Sequence, residues 1–159
     1  MQTIRESRTA RLTTHFRAAG VISLFLVCLL ASFAAWSQEQ IVVVANRDVS
    51  ANEVSRVYLR SVFGMRTRTW PDNEPVRVFV LQDNHPSHEM FTKTILKTFP
   101  YNLRKIWDRR VFSGTGQYPT QVNSTREMYE LVATVKNAIG YLPADEIGDD
   151  VKVLELKDR

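Results

Sequence analysis

The sequence predicts one α/β domain, a mixed sheet covered by helices, behind an export segment. Three observations carry that prediction. Ile41-Val-Val-Val-Ala45 is a continuous β-branched run, the pattern of a strand buried on both faces. Ser50-Ala-Asn-Glu53 and Ser124-Thr-Arg-Glu127 both read as capping boxes, in which a hydroxyl and a carboxylate serve the unpaired amides of a helix start. Strand and helix signals then interleave in the order β-α-β-α-α-α-β-β, which a sheet with helices packed on it satisfies.

Each element has its own signal. After the first strand, Val54, Val57, Tyr58, Ser61 and Val62 fall at i, i+3, i+4, i+7 and i+8, one face of a helix. Gly64 suits the left-handed position that ends it. Trp70-Pro-Asp-Asn73 is a turn, and Val76-Arg-Val-Phe-Val-Leu81 is the second strand. Pro86 suits the first turn of the next helix, continued by Phe91, Ile95 and Phe99. Asn102 can cap a third helix with Leu103, Ile106, Trp107 and Val111 inward, and Ser113-Gly-Thr-Gly-Gln-Tyr-Pro119 is a loop. Met128, Leu131, Val132 and Val135 face inward behind the second capping box. Ala138-Ile-Gly-Tyr-Leu142 and Val151-Lys-Val-Leu-Glu-Leu156 read as the last two strands. The expected core is Val42, Val44, Val57, Phe63, Val78, Phe91, Ile95, Trp107, Phe112, Leu131, Val135, Ile139 and Tyr141.

Composition narrows the function. A hydrophobic content of 44% with 24% charged residues excludes a disordered or collagen-like chain. The net charge of +4 is unevenly placed. Residues 1–37 hold Arg5, Arg8, Arg11 and Arg17 against Glu6, which leaves 17 bases and 16 acids in residues 38–159. So nearly neutral a domain gives no support for a nucleic-acid partner. The sixteen uncharged residues from Val21 to Trp36 follow a basic stretch and end in small residues, the pattern of a secretory signal peptide. Residues 1–37 are therefore expected to be removed by a cut after Ser37, leaving residues 38–159 in the bacterial periplasm. Retention as an N-terminal anchor is the lesser reading, since a span needs about 20 apolar residues. On the first reading the membrane is met only through this segment. The single cysteine, Cys28, lies within it, so residues 38–159 offer no thiol nucleophile, thiolate metal site or redox pair.

Leu59-Arg-Ser-Val-Phe-Gly64, Trp70-Pro-Asp72, the stretch from Phe79 to Phe91, Ile106-Trp107 with Val111-Phe-Ser-Gly114, and Asn137-Ala-Ile-Gly-Tyr141 occur in that order. Together they resemble the phosphate-binding proteins of ABC importers, with the type 2 periplasmic-binding fold, over nearly all of residues 41–156. The resemblance implies half of a two-lobed clamp, since such proteins use about twice as many residues. It also implies an oxyanion such as phosphate as ligand and an ABC permease as partner. In that family a serine-glycine-threonine-arginine turn at a helix start grips the anion. Here His85 and Pro86 stand for serine and glycine, Ser87 for threonine and His88 for arginine.

A helix start favours anions through its free amides and dipole, so Ser87, His88 and His85 are the expected ligand-binding residues. Histidine carries little charge near neutral pH, so binding through His88 is expected to strengthen in acid. Pro86 removes one amide donor. Ser113, Gly114 and Thr115 are a second expected contact, although short loops of this kind are more often plain turns.

Asp83-Asn-His-Pro-Ser-His-Glu89 also has the residue types of a zinc or copper site, but Pro86 breaks the helical spacing, and a polar turn is the expected reading. No cofactor or metal is expected, and nothing in residues 38–159 assembles a catalytic nucleophile with its base, so no enzyme activity is expected. Arg104, Lys105, Arg109 and Arg110 form a basic helix face, ordinarily solvated, with a protein or membrane-surface contact as the lesser reading. The rival to solute binding is an interaction module of the periplasm that has lost its ligand and binds an envelope protein.

Overall fold

The computed structural model describes residues 40–157. The expected signal peptide and its cut after Ser37 lie outside the described residues. Strand β1 (Ile41–Asn46) leads to a short β2 (Glu53–Ser55), helix α1 (Arg56–Phe63) and strand β3 (Arg77–Leu81). Helix α2 (Pro86–Met90) runs into a π-helical turn (Phe91–Ile95), followed by α3 (Pro100–Phe112) and β4 (Thr120–Val122). Helix α4 (Thr125–Thr134), β5 (Ala138–Pro143), a 3₁₀ turn (Ala144–Glu146), β6 (Val151–Val153) and β7 (Glu155–Lys157) complete the order.

The main sheet has the order β4-β3-β5-β1-β6. β3 runs parallel to β4 and β5, and β1 antiparallel to β5 and β6, so the sheet is mixed as expected. β2 and β7 pair in parallel as a separate ribbon, Glu53 opposite Glu155. In β5 alternate residues address opposite faces. A Cβ on Gly140 would lie 2.5 Å from Met128 Sδ and 3.0 Å from Val132 Cγ2, so α4 covers that face closely. Tyr141 points the other way, stacked on Phe91 at 3.9 Å, with Phe63 in T-shaped contact with Phe91 at 4.7 Å. Trp107 reaches this layer from α3 and donates Nε1–H to the Phe63 carbonyl at 2.7 Å. Burial of each such aromatic contributes about 1.5–3 kcal/mol. The sheet, both helical layers and the core lie within one compact unit, Glu39–Arg159.

Several expectations are corrected. Ser50 caps no helix: its hydroxyl donates to Asp72 at 2.6 Å, and the cap of α1 is Ser55, which accepts from Tyr58 N–H. That later start turns the inward face to Leu59, Val62 and Phe63 and leaves Val57 exposed. Gly64 has φ −77°, and the left-handed residue is Met65. Glycine is needed at 64 for contact instead, because a Cβ there would sit 2.6 Å from the Arg60 carbonyl oxygen. α3 begins at Pro100 rather than behind Asn102, and Phe112, at its last turn, is 86% exposed instead of in the core. β2 and β4 are additional strands, and Val151–Leu156 is two strands rather than one. Ser124 does cap α4, accepting from Glu127 N–H at 3.1 Å, while the Glu127 carboxylate accepts from Asn123 N–H.

Candidate functional site

The residues after β3 lie at the carboxyl end of the parallel part of the sheet, where open α/β sheets hold ligands. Gln82 ties this end to the β4–α4 connection by donating to Asn123 Oδ1 at 3.2 Å. The chain then turns through Asp83 and Asn84, and α2 starts with His85 as its cap and Pro86 in its first turn. His85 Nδ1 accepts Ser87 N–H at 3.2 Å, and the His85 carbonyl accepts the N–H groups of His88 and Glu89 at 2.9 and 3.0 Å. Pro86 has none to offer. The amides that would meet an anion at this turn are therefore occupied within the turn itself. The Ser87 hydroxyl makes no hydrogen bond among the described residues, although Ser87 is only 3% exposed.

His88 points away from solvent and is fully buried. Its Nδ1 meets the Tyr141 hydroxyl at 2.5 Å, and that hydroxyl accepts Leu81 N–H at 2.8 Å. The phenol oxygen thus joins Leu81 N–H to the imidazole, and which of the two side chains donates in the Nδ1 contact depends on the tautomer of the ring. Nε2 finds no partner among the described residues. Burial holds the His88 pKa down at about 4, against an opposing pull from Asp83 and with Arg104 and His85 lowering it further. The ring is thus a neutral core imidazole. Of the expected ligand-binding residues, His88 is inside and uncharged. Burial likewise pushes the Tyr141 phenol far up, so it stays protonated.

Sequence reasoning missed the pair beside this histidine. Arg104 grips Asp83 bidentately, Nε to Oδ2 at 2.8 Å and Nη2 to Oδ1 at 2.7 Å. The Asp83 hydrogen bond raises the Arg104 pKa further, and its guanidinium lies 4.9 Å from the Trp107 ring centroid and 5.8 Å from that of Tyr118. The guanidinium therefore brings a permanent charge to the turn, but Asp83 matches it, so the pair presents no net charge to a ligand. Only the 21-residue separation in sequence hid this contact.

The second expected contact, Ser113, Gly114 and Thr115, is a helix C-terminus. Ser113 N–H donates to Arg109 O, Gly114 N–H to Val111 O, and the N–H groups of Thr115 and Gly116 to Arg110 O. The loop's amides thus lie on carbonyls, at the negative end of the α3 dipole. Gly114 supplies the left-handed turn at φ +69°. Some 13 Å of helix axis separates Ser113 from Arg104. The Asp83–Glu89 stretch likewise disperses: Asp83 faces Arg104, Glu89 pairs with Lys93 at 2.7 Å, and the two imidazoles have the separate partners given above. Among the described residues no group of three histidine, cysteine or acidic residues is placed to hold a metal ion. The basic face of α3 also divides. Arg104 turns to Asp83 and Arg110 to Thr115 O, while Lys105 and Arg109 remain exposed.

This α/β architecture resembles part of several substrate-binding proteins of known structure. Solved structures of phosphate-transport proteins are among those that resemble it. A phosphate-bound ABC transporter substrate-binding protein from Clostridium perfringens matches with TM-score 0.59 and 14% identity, over 74% of this chain and 45% of that one. An ABC-type phosphate transport receptor from Vibrio cholerae matches with TM-score 0.58 and 13% identity, over 74% and 46%. PstS from Borrelia burgdorferi matches with TM-score 0.56 and 12% identity, over 75% and 47%. The chain thus spans less than half the length of these proteins, and the likeness is one of fold. No protein-family model and no curated protein matches the sequence significantly.

Proposed function

We propose that this chain is an exported protein of the solute-binding type that serves as an interaction module of the periplasm rather than as a phosphate receptor. The occupied donors of the His85–Glu89 turn support this reading. An anion arriving there has to displace the His85 ring from Ser87 N–H, finds no donor at Pro86, and meets an Arg104 already matched by Asp83. Calorimetry of the chain from Gln38 onward with phosphate and with sulfate, at pH 6 and pH 8, is expected to give no heat of binding. Saturable phosphate binding that disappears in Ser87→Ala would overturn the reading.

One observation favours the second reading, oxyanion capture for an ABC permease. The Ser87 hydroxyl is uncommitted at the start of α2, on a fold shared with phosphate transport proteins. On that reading Ser87 is the side chain that touches the anion, and permease subunits are recovered with the protein from membranes. Recovery of an unrelated envelope protein supports the first.

A further inference from the structure

We propose that the outward stripe of α3 docks on an anionic phospholipid surface. The helix sorts its side chains by angle. Leu103 and Trp107 are buried against the core. Tyr101, Lys105, Arg109 and Phe112 are all exposed, at spacings of four, four and three residues, which gathers them into a stripe about 80° wide at 100° per residue. Phe112 is 86% exposed and Tyr101 57%. Phe99 extends the stripe at the helix start, stacked on Tyr101 with ring centroids 5.7 Å apart. Lys105 Nζ lies 5.5 Å over the Tyr101 ring. The acid at the edge of the stripe, Asp108, accepts from the Tyr118 hydroxyl at 2.8 Å.

The chemistry of the occupant follows from the stripe. Two cations sit between aromatic groups about 16 Å apart along the axis, and the stripe itself carries no acid to match them. That is the composition of a helix lying in the headgroup plane, with rings dipped toward the acyl boundary and basic groups among lipid phosphates. An acidic protein would match the cations equally well, but Phe112 would then require a pocket cut to fit it. A bilayer accepts a lone phenylalanine without one. On the expected export reading, the uncharged run of residues 21–36 takes this chain to a bilayer as well.

This inference names a partner for the proposed interaction module and rests on that reading only for export. Calorimetry and the following test fail independently. The chain from Gln38 is sedimented with vesicles of phosphatidylcholine alone, or with phosphatidylglycerol added, at 50 and at 500 mM salt. Binding is expected to the phosphatidylglycerol vesicles at low salt only. A basic group near an anionic leaflet is worth about 1 kcal/mol, so K105E/R109E is expected to bind at least roughly 25-fold more weakly. Phe112→Ser, which removes an already exposed ring, is expected to weaken binding with an unchanged circular dichroism spectrum. R47E/K136E makes the same charge change away from α3, and is expected to leave binding within about threefold. Three results would each overturn the proposal: no sedimentation with phosphatidylglycerol vesicles at low salt, equal sedimentation with phosphatidylcholine alone, or undiminished binding by K105E/R109E.

Discussion

Mild acid is expected to destabilise this protein through His88. Asp83 and Glu89 favour the charged ring, Arg104 and His85 oppose it, and burial outweighs them all, so the pKa falls from 6.5 to about 4 on folding. The folded pKa lies below the unfolded one, so between pH 4 and pH 6.5 the unfolded chain binds more protons. The contribution of the neutral ring is complete above about pH 6.5, declines as pH falls, and is lost below pH 4. The shift corresponds to about 3 kcal/mol in full, of which about 2 kcal/mol has gone by pH 5. Asp72 and Glu89 do not confound this interval. Hydrogen bonds from Ser50 and from Lys93 lower their pKa values, so both stay ionised at pH 5. The assay is urea unfolding of the chain from Gln38 at pH 7.5 and pH 5, followed by the fluorescence of the buried Trp70 and Trp107. His88→Gln offers Tyr141 an acceptor that does not titrate in this range, and His85 is present in both proteins and cancels. The parent is expected to lose about 2 kcal/mol over this interval and the variant less than about 0.5 kcal/mol. Equal losses in the two proteins would refute the argument, as would an imidazole titration of folded His88 above pH 6.

Two further outcomes test the layers on either side of β5. Tyr141→Phe removes the hydroxyl that pairs both Leu81 N–H and His88 Nδ1, and leaving two buried groups unmet is expected to cost about 2–4 kcal/mol in urea unfolding at pH 7.5. A loss under about 0.5 kcal/mol would show that water reaches them. On the opposite face Gly140→Ala drives a methyl into Met128 and Val132 of α4, with an expected cost of about 1–3 kcal/mol by the same measurement, and an unchanged midpoint would contradict the close approach.

What the sequence made legible follows the range of each interaction. β1, β3 and β5 were readable because each is an apolar run long enough to stand out from its flanks, and α4 because Ser124 and Glu127 meet within one turn. β2 and β4 have three residues each and bury one side chain apiece, too little for a pattern of period two. Ser50 misled because its partner is Asp72, 22 residues on, a contact with no local signature. Phe112 misled because it is apolar but lies nine residues after the buried Leu103, half a turn round on the outward side of α3. At the candidate site the turn and its helix start were legible, but both long-range contacts that decide its chemistry were hidden. Arg104 meets Asp83 from 21 residues away and Tyr141 meets His88 from 53.

Those two contacts explain why this turn differs from an open anion site. An anion site needs a base that reaches outward and amides left free behind it. Here the side chain at position 88 reaches inward instead, and β5 supplies the partner that keeps it there. The Phe91 stack fixes the Tyr141 ring, and the ring holds its hydroxyl between Leu81 N–H and the imidazole. Neutrality is essential to that arrangement. An arginine at position 88 would carry a permanent charge into a layer formed by Trp107, Tyr141 and Phe91, where its desolvation costs several kcal/mol without a buried counter-charge. Asp83 cannot serve as that counter-charge without leaving Arg104. The histidine, the tyrosine hydroxyl and the aspartate–arginine pair therefore support one another, and a single substitution at the turn does not recreate an anion grip. On the reading proposed here, recognition falls to the exposed surface, where α3 leaves Tyr101, Lys105, Arg109 and Phe112 facing outward together.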